Sequence, residues 1–245
     1  MLNKKSVTLL TTLITGLTVY SFYHAQRINA RKRCDKKIKE KNSKIKGITI
    51  LGDSVARGYG SKIGGFGYSL AEKISNSSQE GIWIKNYGID GLTSKGLIEK
   101  MNEGVFDKSL MKSDLIIVNI GGNDLLELYK QGGEVKVVKD FFTARSQFKN
   151  NLSIIFNRLS ELNPNALIVF NNLYNPVKAD REYYRVADIL VRMWNGVLAD
   201  SNHIFVDTFS LSSADNIWSD EVHPNDLGYT ELANLIFNRL TLKSP

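Results

Sequence analysis

A single cysteine, Cys34, and three histidines, His24, His203 and His223, are all that 245 residues offer of the usual soft metal ligands. One thiol closes no internal disulfide, and these few groups assemble no cluster at zinc spacing, so no metal is expected and no cofactor is called for. A phosphate cradle is also missing. Gly58, Gly60, Gly64, Gly65 and Gly67 crowd one stretch, but no Gly-Lys-Ser/Thr ending or dinucleotide fingerprint accompanies them, and they read as a flexible loop. No internal repeat is visible, and nothing marks a second globular domain.

The basic residues are unevenly spread. The formal net charge is +7, yet residues 1–46 hold 12 Lys/Arg against 2 Asp/Glu, while 47–245 hold 20 against 23. A basic excess confined to a tail is no footprint for nucleic acid, and no nucleic-acid partner is expected. With 42% hydrophobic residues, the chain beyond the tail suffices for one α/β domain.

The tail opens Met1-Leu-Asn-Lys4-Lys5 and then carries no charged residue from Ser6 to Gln26. Such a run reaches the ~20 residues that span a bilayer, although Thr8, Thr11, Thr12, Thr15, Thr18 and Gly16 dilute it. Residues 1–26 therefore read as a membrane anchor or uncleaved signal segment. A cleaved signal peptide is the rival, but a site after Ala25 would put Tyr23 where a small residue is needed. Residues 27–46 form a basic juxtamembrane linker, with Lys36–Lys46, charged and poor in Gly and Pro, a solvated spacer at the lipid surface for which a helix is one alternative. Cys34, in Arg31-Lys-Arg-Cys34-Asp, sits in too polar a setting for a lipoprotein signal and reads as an inert thiol, with acylation as the alternative. Arg27, Arg31, Lys32, Arg33, Lys36 and Lys37 outnumber Lys4 and Lys5, which by the positive-inside rule holds the rest of the chain in the cytoplasm.

From residue 47 onward, apolar strand-like runs alternate with helical patterns. Strands are expected at 47–52, 82–87, 115–120, 166–171 and 203–207, and helices near 67–76, 93–102, 144–162, 181–200 and 226–240. This alternation predicts an α/β fold, a three-layer α/β/α sandwich around a five-stranded parallel sheet. His203 opens the last run and reads as a strand-edge histidine. Asn171-Asn-Leu-Tyr-Asn175-Pro176, after the fourth run, is either the lining of a pocket or an ordinary turn before a helix.

Open α/β sheets bind ligands at the carboxyl ends of their strands, and four strand ends here carry chemistry. Gly52-Asp53-Ser54 follows Ile48-Thr49-Ile50-Leu51, which places the Ser54 hydroxyl just past a strand. In Asp220-x-x-His223, one imidazole nitrogen can take the Ser54 proton while the carboxylate three residues earlier holds the other. Gly91, after the strand-like Ile82-Trp83-Ile84, offers a backbone N–H with no Cβ in the way, with Gly88 shaping the turn. Gly121-Gly122-Asn123-Asp124 punctuates the run 115–120, and Asn123 at that strand end offers a side-chain amide. A nucleophile, a base, an orienter and three oxyanion donors (the N–H groups of Ser54 and Gly91, and the Asn123 amide) are the parts an acyl-transfer site needs.

These four segments, in this order, resemble the SGNH or GDSL hydrolase superfamily of lipases and esterases, over about residues 47 to 240. The resemblance implies Ser54 as nucleophile, Asp220 and His223 as orienter and base, and Gly91 and Asn123 in the oxyanion hole. Val55 stands where the name's leucine would. The Gly-x-Ser-x-Gly elbow of α/β-hydrolases is absent, since position 56 is Ala, and their widely separated Asp and His are here neighbours. What is implied is a hydrolase domain over 47–245 that cleaves a carboxylic ester or thioester through an acyl-enzyme on Ser54. Its substrate would be a small-molecule or lipid ester, such as a lysophospholipid, a short acyl ester or an acetylated cell-wall sugar. An O-acyltransferase or carbohydrate acetylesterase of the same fold is the alternative, and a silent binding module is disfavoured because no position of the set is lost. Anchored members of the family commonly work on the outer face of bacterial membranes, so an extracytoplasmic domain is expected, against the positive-inside count.

Overall fold

A computed structural model describes Ala25 and residues 28–242, apart from 179, 199–202 and 214–215. Five apolar runs form one all-parallel sheet: β1 (Gly47–Gly52), β2 (Trp83–Gly88), β3 (Leu115–Asn119), β4 (Leu167–Asn171) and β5 (Ile204–Val206), in the order β2-β1-β3-β4-β5. Side chains alternate along each strand. Ile48, Ile50, Leu115, Ile117, Leu167 and Val169 enter one core, and Leu51, Ile116, Val118, Ile168 and Phe170 enter the other. Burial on both faces is why β1, β3 and β4 read as continuous apolar runs, whereas β2, at the sheet edge, is only partly buried and carries Lys85 and Asn86. Register pairs Gly52 with Gly88 on one side and Asn119 on the other, so three strands finish level and present their loops together.

The helices are α1 (28–41), α2 (Ser54–Arg57), α3 (Phe66–Ser78), α4 (Ser94–Asn102), α5 (Asp107–Leu110), α6 (Gly122–Lys130), α7 (Gly133–Leu162), α8 (Tyr184–Asn195) and α9 (Asp226–Leu240). Side chains from α1, α3 and α9 fill the first core, and those from α4, α5, α7 and α8 the second. Side-chain caps set the starts of α4 and α9, where Thr93 accepts the Gly96 N–H and Asn225 accepts the Gly228 N–H. The expected three-layer α/β/α sandwich is present, with all five strands close to their expected bounds.

Several helices depart from expectation, among them the short α2 and α5, which correspond to no expected helix. α6 forms where the sequence suggests a turn; α8 is shorter than 181–200; and α7 starts at Gly133, well before residue 144. Val137, Phe141, Phe148, Leu152, Ile155 and Leu159 carry one apolar stripe along most of its length.

The stretch expected to be a solvated spacer packs against the domain instead. Cys34 and Ile38, one turn apart on α1, are buried with Ile45 in the first core. Asp35 pairs with Arg239 of α9 at 2.8 Å, and Lys37 Nζ donates to the Ala166 carbonyl at 2.8 Å. Burial pushes the Cys34 thiol above its ordinary pKa, against the pull of Arg239, so it stays protonated and packs as a small apolar group. The lysines and arginines of α1 mask a narrow apolar stripe of Ala30, Cys34 and Ile38. Among the described residues no helix is long and apolar enough to cross a membrane; the segment 1–26, expected to be an anchor, lies outside them except for Ala25.

Candidate active site

At the end of β1 the chain must turn sharply beside β3. Gly52 has φ +148°, and a Cβ there would meet the Asn119 carbonyl oxygen at 2.0 Å, so glycine alone fits. Asp53 then caps α2 by accepting the Val55 N–H at 3.0 Å, which makes Ser54 the first residue of a four-residue helix. An N–H in that position has no acceptor within its own helix and is left for a ligand. Asn119 Nδ2 approaches the same Asp53 oxygen at 3.5 Å. Burial pushes the Asp53 carboxyl up to about 6, while the N–H groups of Val55 and Ala56 pull it down.

The loop after β5 brings its imidazole back over this turn. Ser54 Oγ lies 2.8 Å from His223 Nε2, and His223 Nδ1 lies 2.8 Å from Asp220 Oδ2. The other Asp220 oxygen accepts the N–H groups of Val222 and His223 at 2.8 and 2.7 Å. Partial burial raises its pKa, but these bonds and the imidazole outweigh that, so the carboxyl stays below its ordinary value. The loop is braced from several sides: Ser219 N–H donates to the His223 carbonyl, Asn225 N–H to the Ile217 carbonyl, and Tyr174 Oη to the Val222 carbonyl at 2.8 Å. Tyr174 comes from the segment 171–176, which the sequence leaves open between pocket lining and ordinary turn. Here it acts as a support for the histidine loop.

Gly91 lies in a turn closed by Leu92 N–H to the Ile89 carbonyl at 3.1 Å, and its φ of +73° is what the third position of a type II turn requires. Ile89 N–H donates to the Gly52 carbonyl at 3.0 Å, which seats this turn directly against the Ser54 turn. Asn123 does not end a strand, as the sequence suggested, but stands in the first turn of α6. Its Nδ2 donates to the Leu92 carbonyl at 3.0 Å. The neighbouring Asp124 accepts the N–H of Ser94 at 2.9 Å and the Ser94 hydroxyl, locking α6 to the start of α4. All five motif residues, Ser54, Gly91, Asn123, Asp220 and His223, therefore gather at the carboxyl edge of the sheet.

Several neighbours go unnoticed in the motifs. The glycine-rich loop, expected to be flexible, is pinned by Asp226 at the start of α9, which accepts the Ser61 hydroxyl at 2.6 Å and the Lys62 N–H at 2.7 Å. Within it the Tyr59 ring lies 4.5 Å from the His223 ring, and Arg57 Nε reaches Asp90 Oδ1 at 2.6 Å. Neither contact joins residues close enough in sequence for a spacing rule to find. His203 stands away from the site at the amino end of β5, stacked on Phe156 at 4.3 Å.

A hydroxyl, an imidazole and a carboxylate in series, beside backbone and amide N–H groups, can carry out acyl transfer. Comparison with known proteins agrees. Residues 50–230 match the GDSL-like Lipase/Acylhydrolase family. The chain is 27% identical over 205 residues to the uncharacterized protein YpmR of Bacillus subtilis strain 168, covering 79% of this chain and 80% of that one. It is 25% identical over 201 residues to the spore germination lipase LipC of Bacillus licheniformis, covering 76% and 92%. Among solved structures, the lipase Lip_vut3 from a goat rumen metagenome superposes with a TM-score of 0.70 at 24% identity, covering 79% of this chain and 96% of that one. With the family match spanning most of the sheet and every motif, the chain belongs to the GDSL-like lipase/acylhydrolase family and is an ester hydrolase.

Proposed function

We propose that hydrolysis of a carboxylic ester or thioester proceeds through an acyl-enzyme on Ser54, with His223 as general base and acid, Asp220 as its orienter, and the N–H groups of Ser54 and Gly91 with the Asn123 amide as oxyanion donors. The observation that carries this reading is the unbroken series from Ser54 Oγ to His223 Nε2 and, across the ring, from His223 Nδ1 to Asp220 Oδ2, both hydrogen bonds 2.8 Å. Asp220 accepts from Nδ1, which leaves Nε2 free to take the hydroxyl proton as Ser54 Oγ attacks the ester carbonyl. The carbonyl oxygen gains negative charge facing the three donors. His223 then returns its proton to the departing alcohol, and water repeats the sequence to release the acid and restore Ser54.

A fluorophosphonate probe tests the assignment. Wild type should be labelled at Ser54 and lose turnover, and Ser54→Ala should be folded, unlabelled and inactive. Turnover in purified Ser54→Ala would end it. Likeness to a protein named as a lipase favours a lipid acyl ester as substrate, which a chain-length series of p-nitrophenyl esters beside a lysophospholipid checks. The uncharged run Ser6–Gln26 supports membrane attachment, and likeness to anchored members of the family favours an extracytoplasmic catalytic domain, against the count of flanking lysines and arginines. Protease shaving of intact cells tests the side, and carbonate extraction tests the attachment.

A further inference from the structure

We infer that Tyr59 is a positioning residue for His223, held in place by Arg57 and Asp90; this rests on His223 being the base proposed above. The Tyr59 ring lies against the imidazole in a tilted contact, 4.5 Å between centroids and 43° between planes. Behind it, the Arg57 guanidinium lies 5.3 Å over the face of the Tyr59 ring, and the same side chain pairs with Asp90, the residue before Gly91. One continuous line of contacts thus runs from the turn that offers the Gly91 N–H to the face of the histidine.

The backbone beneath Tyr59 is built to hold this position. Tyr59 is flanked by Gly58 and Gly60 at φ +87° and +84°, its N–H donates to the Ser54 carbonyl at 2.9 Å, and its carbonyl accepts the hydroxyl of Tyr229 at 2.8 Å. Tyr229 is fully buried, so Tyr59 is tied to the core through its main chain while the residue as a whole stays 44% exposed. A residue so exposed adds little to the hydrophobic core, and the ring contact that it does make is with the imidazole. Asp220 and Ser54 hold His223 only at its two nitrogens, within the ring plane, which leaves rotation out of that plane to whatever lies against its face. Tyr59 is what lies there. A base displaced by a fraction of an ångström loses the in-line approach to the Ser54 proton, and misplacement of about 1 Å costs up to about 10²-fold in rate.

The test uses the full-length chain with p-nitrophenyl acetate, an ester too small to need a distant subsite. Tyr59→Ala should lower kcat by about 10- to 100-fold with KM nearly unchanged and with a melting temperature close to wild type. Tyr59→Phe, which keeps the ring, should restore wild-type kcat, while Arg57→Ala and Asp90→Asn should reduce it in the same direction by less. A wild-type kcat in Tyr59→Ala overturns the inference, as does a change confined to KM, which would make the ring a substrate contact. A Tyr59→Phe variant as slow as Tyr59→Ala overturns it too, because the hydroxyl and not the ring would then matter. Ser54→Ala measured alongside separates the two readings: activity there defeats the catalytic assignment, whereas a dead Ser54→Ala beside a fully active Tyr59→Ala defeats only this one.

Discussion

Asn123 on α6 and Leu92 in the turn after β2 are joined by a 3.0 Å hydrogen bond from the side-chain amide to the backbone carbonyl. A carboxamide nitrogen has two hydrogens. Committing one to Leu92 fixes the plane of the group and therefore the direction of the other. The same bond ties α6 to the turn that carries Gly91, so the two groups proposed as donors, from different strand ends, are linked by one contact.

Replacing Asn123 with Ala should accordingly lower kcat by roughly 10² to 10³, or about 2.7 to 4 kcal/mol, with little change in KM. It should also cost about 1 kcal/mol of stability, because the Leu92 carbonyl loses its partner. Asn123→Asp should be at least as harmful to kcat, since it brings negative charge toward a developing oxyanion. Melting temperature and kcat measured on one preparation decide the matter: a lowered melting temperature with wild-type kcat removes Asn123 from the oxyanion hole.

Asp53 makes a prediction about pH. Its carboxyl is raised from 3.8 to about 6 by burial, so the folded protein holds this proton more tightly than the unfolded chain does. Stability from this group is therefore fullest in acid and falls as pH rises from about 4 to 6, by at most about 3 kcal/mol. Asn at this position keeps an oxygen to cap α2 and carries no charge. Asp53→Asn should melt above wild type at pH 8, with the gap closing between pH 6 and 4. A gap independent of pH would show that the buried charge is not its source.

His203 works in the opposite sense. Burial lowers its pKa from 6.5 to about 4, so the neutral ring packed on Phe156 contributes stability above pH 6.5 that is lost as pH falls toward 4, at most roughly 3 kcal/mol. His203→Phe keeps an aromatic partner for Phe156 without a titrating group. Plotted against pH, the difference between wild type and variant should slope between 6.5 and 4 and flatten above; a flat difference throughout would refute it. In wild type the Asp53 and His203 contributions oppose each other below pH 6, so only the single variants expose either slope.

Shortening the chain tests the place of α1. Removing residues 1–27 should leave a cooperatively folding domain, whereas removing 1–46 strips Cys34, Ile38 and Ile45 from the first core together with the Asp35–Arg239 pair. Full burial of Ile38 alone is worth about 1.5–3 kcal/mol, so the shorter protein should melt well below the longer one and expose apolar surface to a hydrophobic dye. Equal melting temperatures would mean that α1 contributes nothing to the fold.

The strands were legible from sequence because a parallel sheet buried on both faces demands unbroken apolar runs, and Ile48–Leu51, Leu115–Ile120 and Ala166–Phe170 leave no other easy use for such residues. The residues proposed for the site were legible for a different reason. Each sits in a short motif at a strand end, where backbone geometry and chemistry limit the choice of amino acid. The packing of α1 was hidden because Ala30, Cys34 and Ile38, though spaced one turn apart, are small or few among many charges, and so narrow a stripe does not announce a core to receive it. The helical state of α6 was hidden by Gly121-Gly122, which reads as a turn whether or not a helix follows. Only the tertiary structure decided that Ser54 and His223, 169 positions apart, would meet at 2.8 Å. It alone laid the Tyr59 ring on the imidazole and buried Asp53 beside it. Sequence specifies which groups are available and which local turns they favour, whereas distance, ring packing and burial belong to the folded chain, because they depend on which strand ends the sheet order brings side by side.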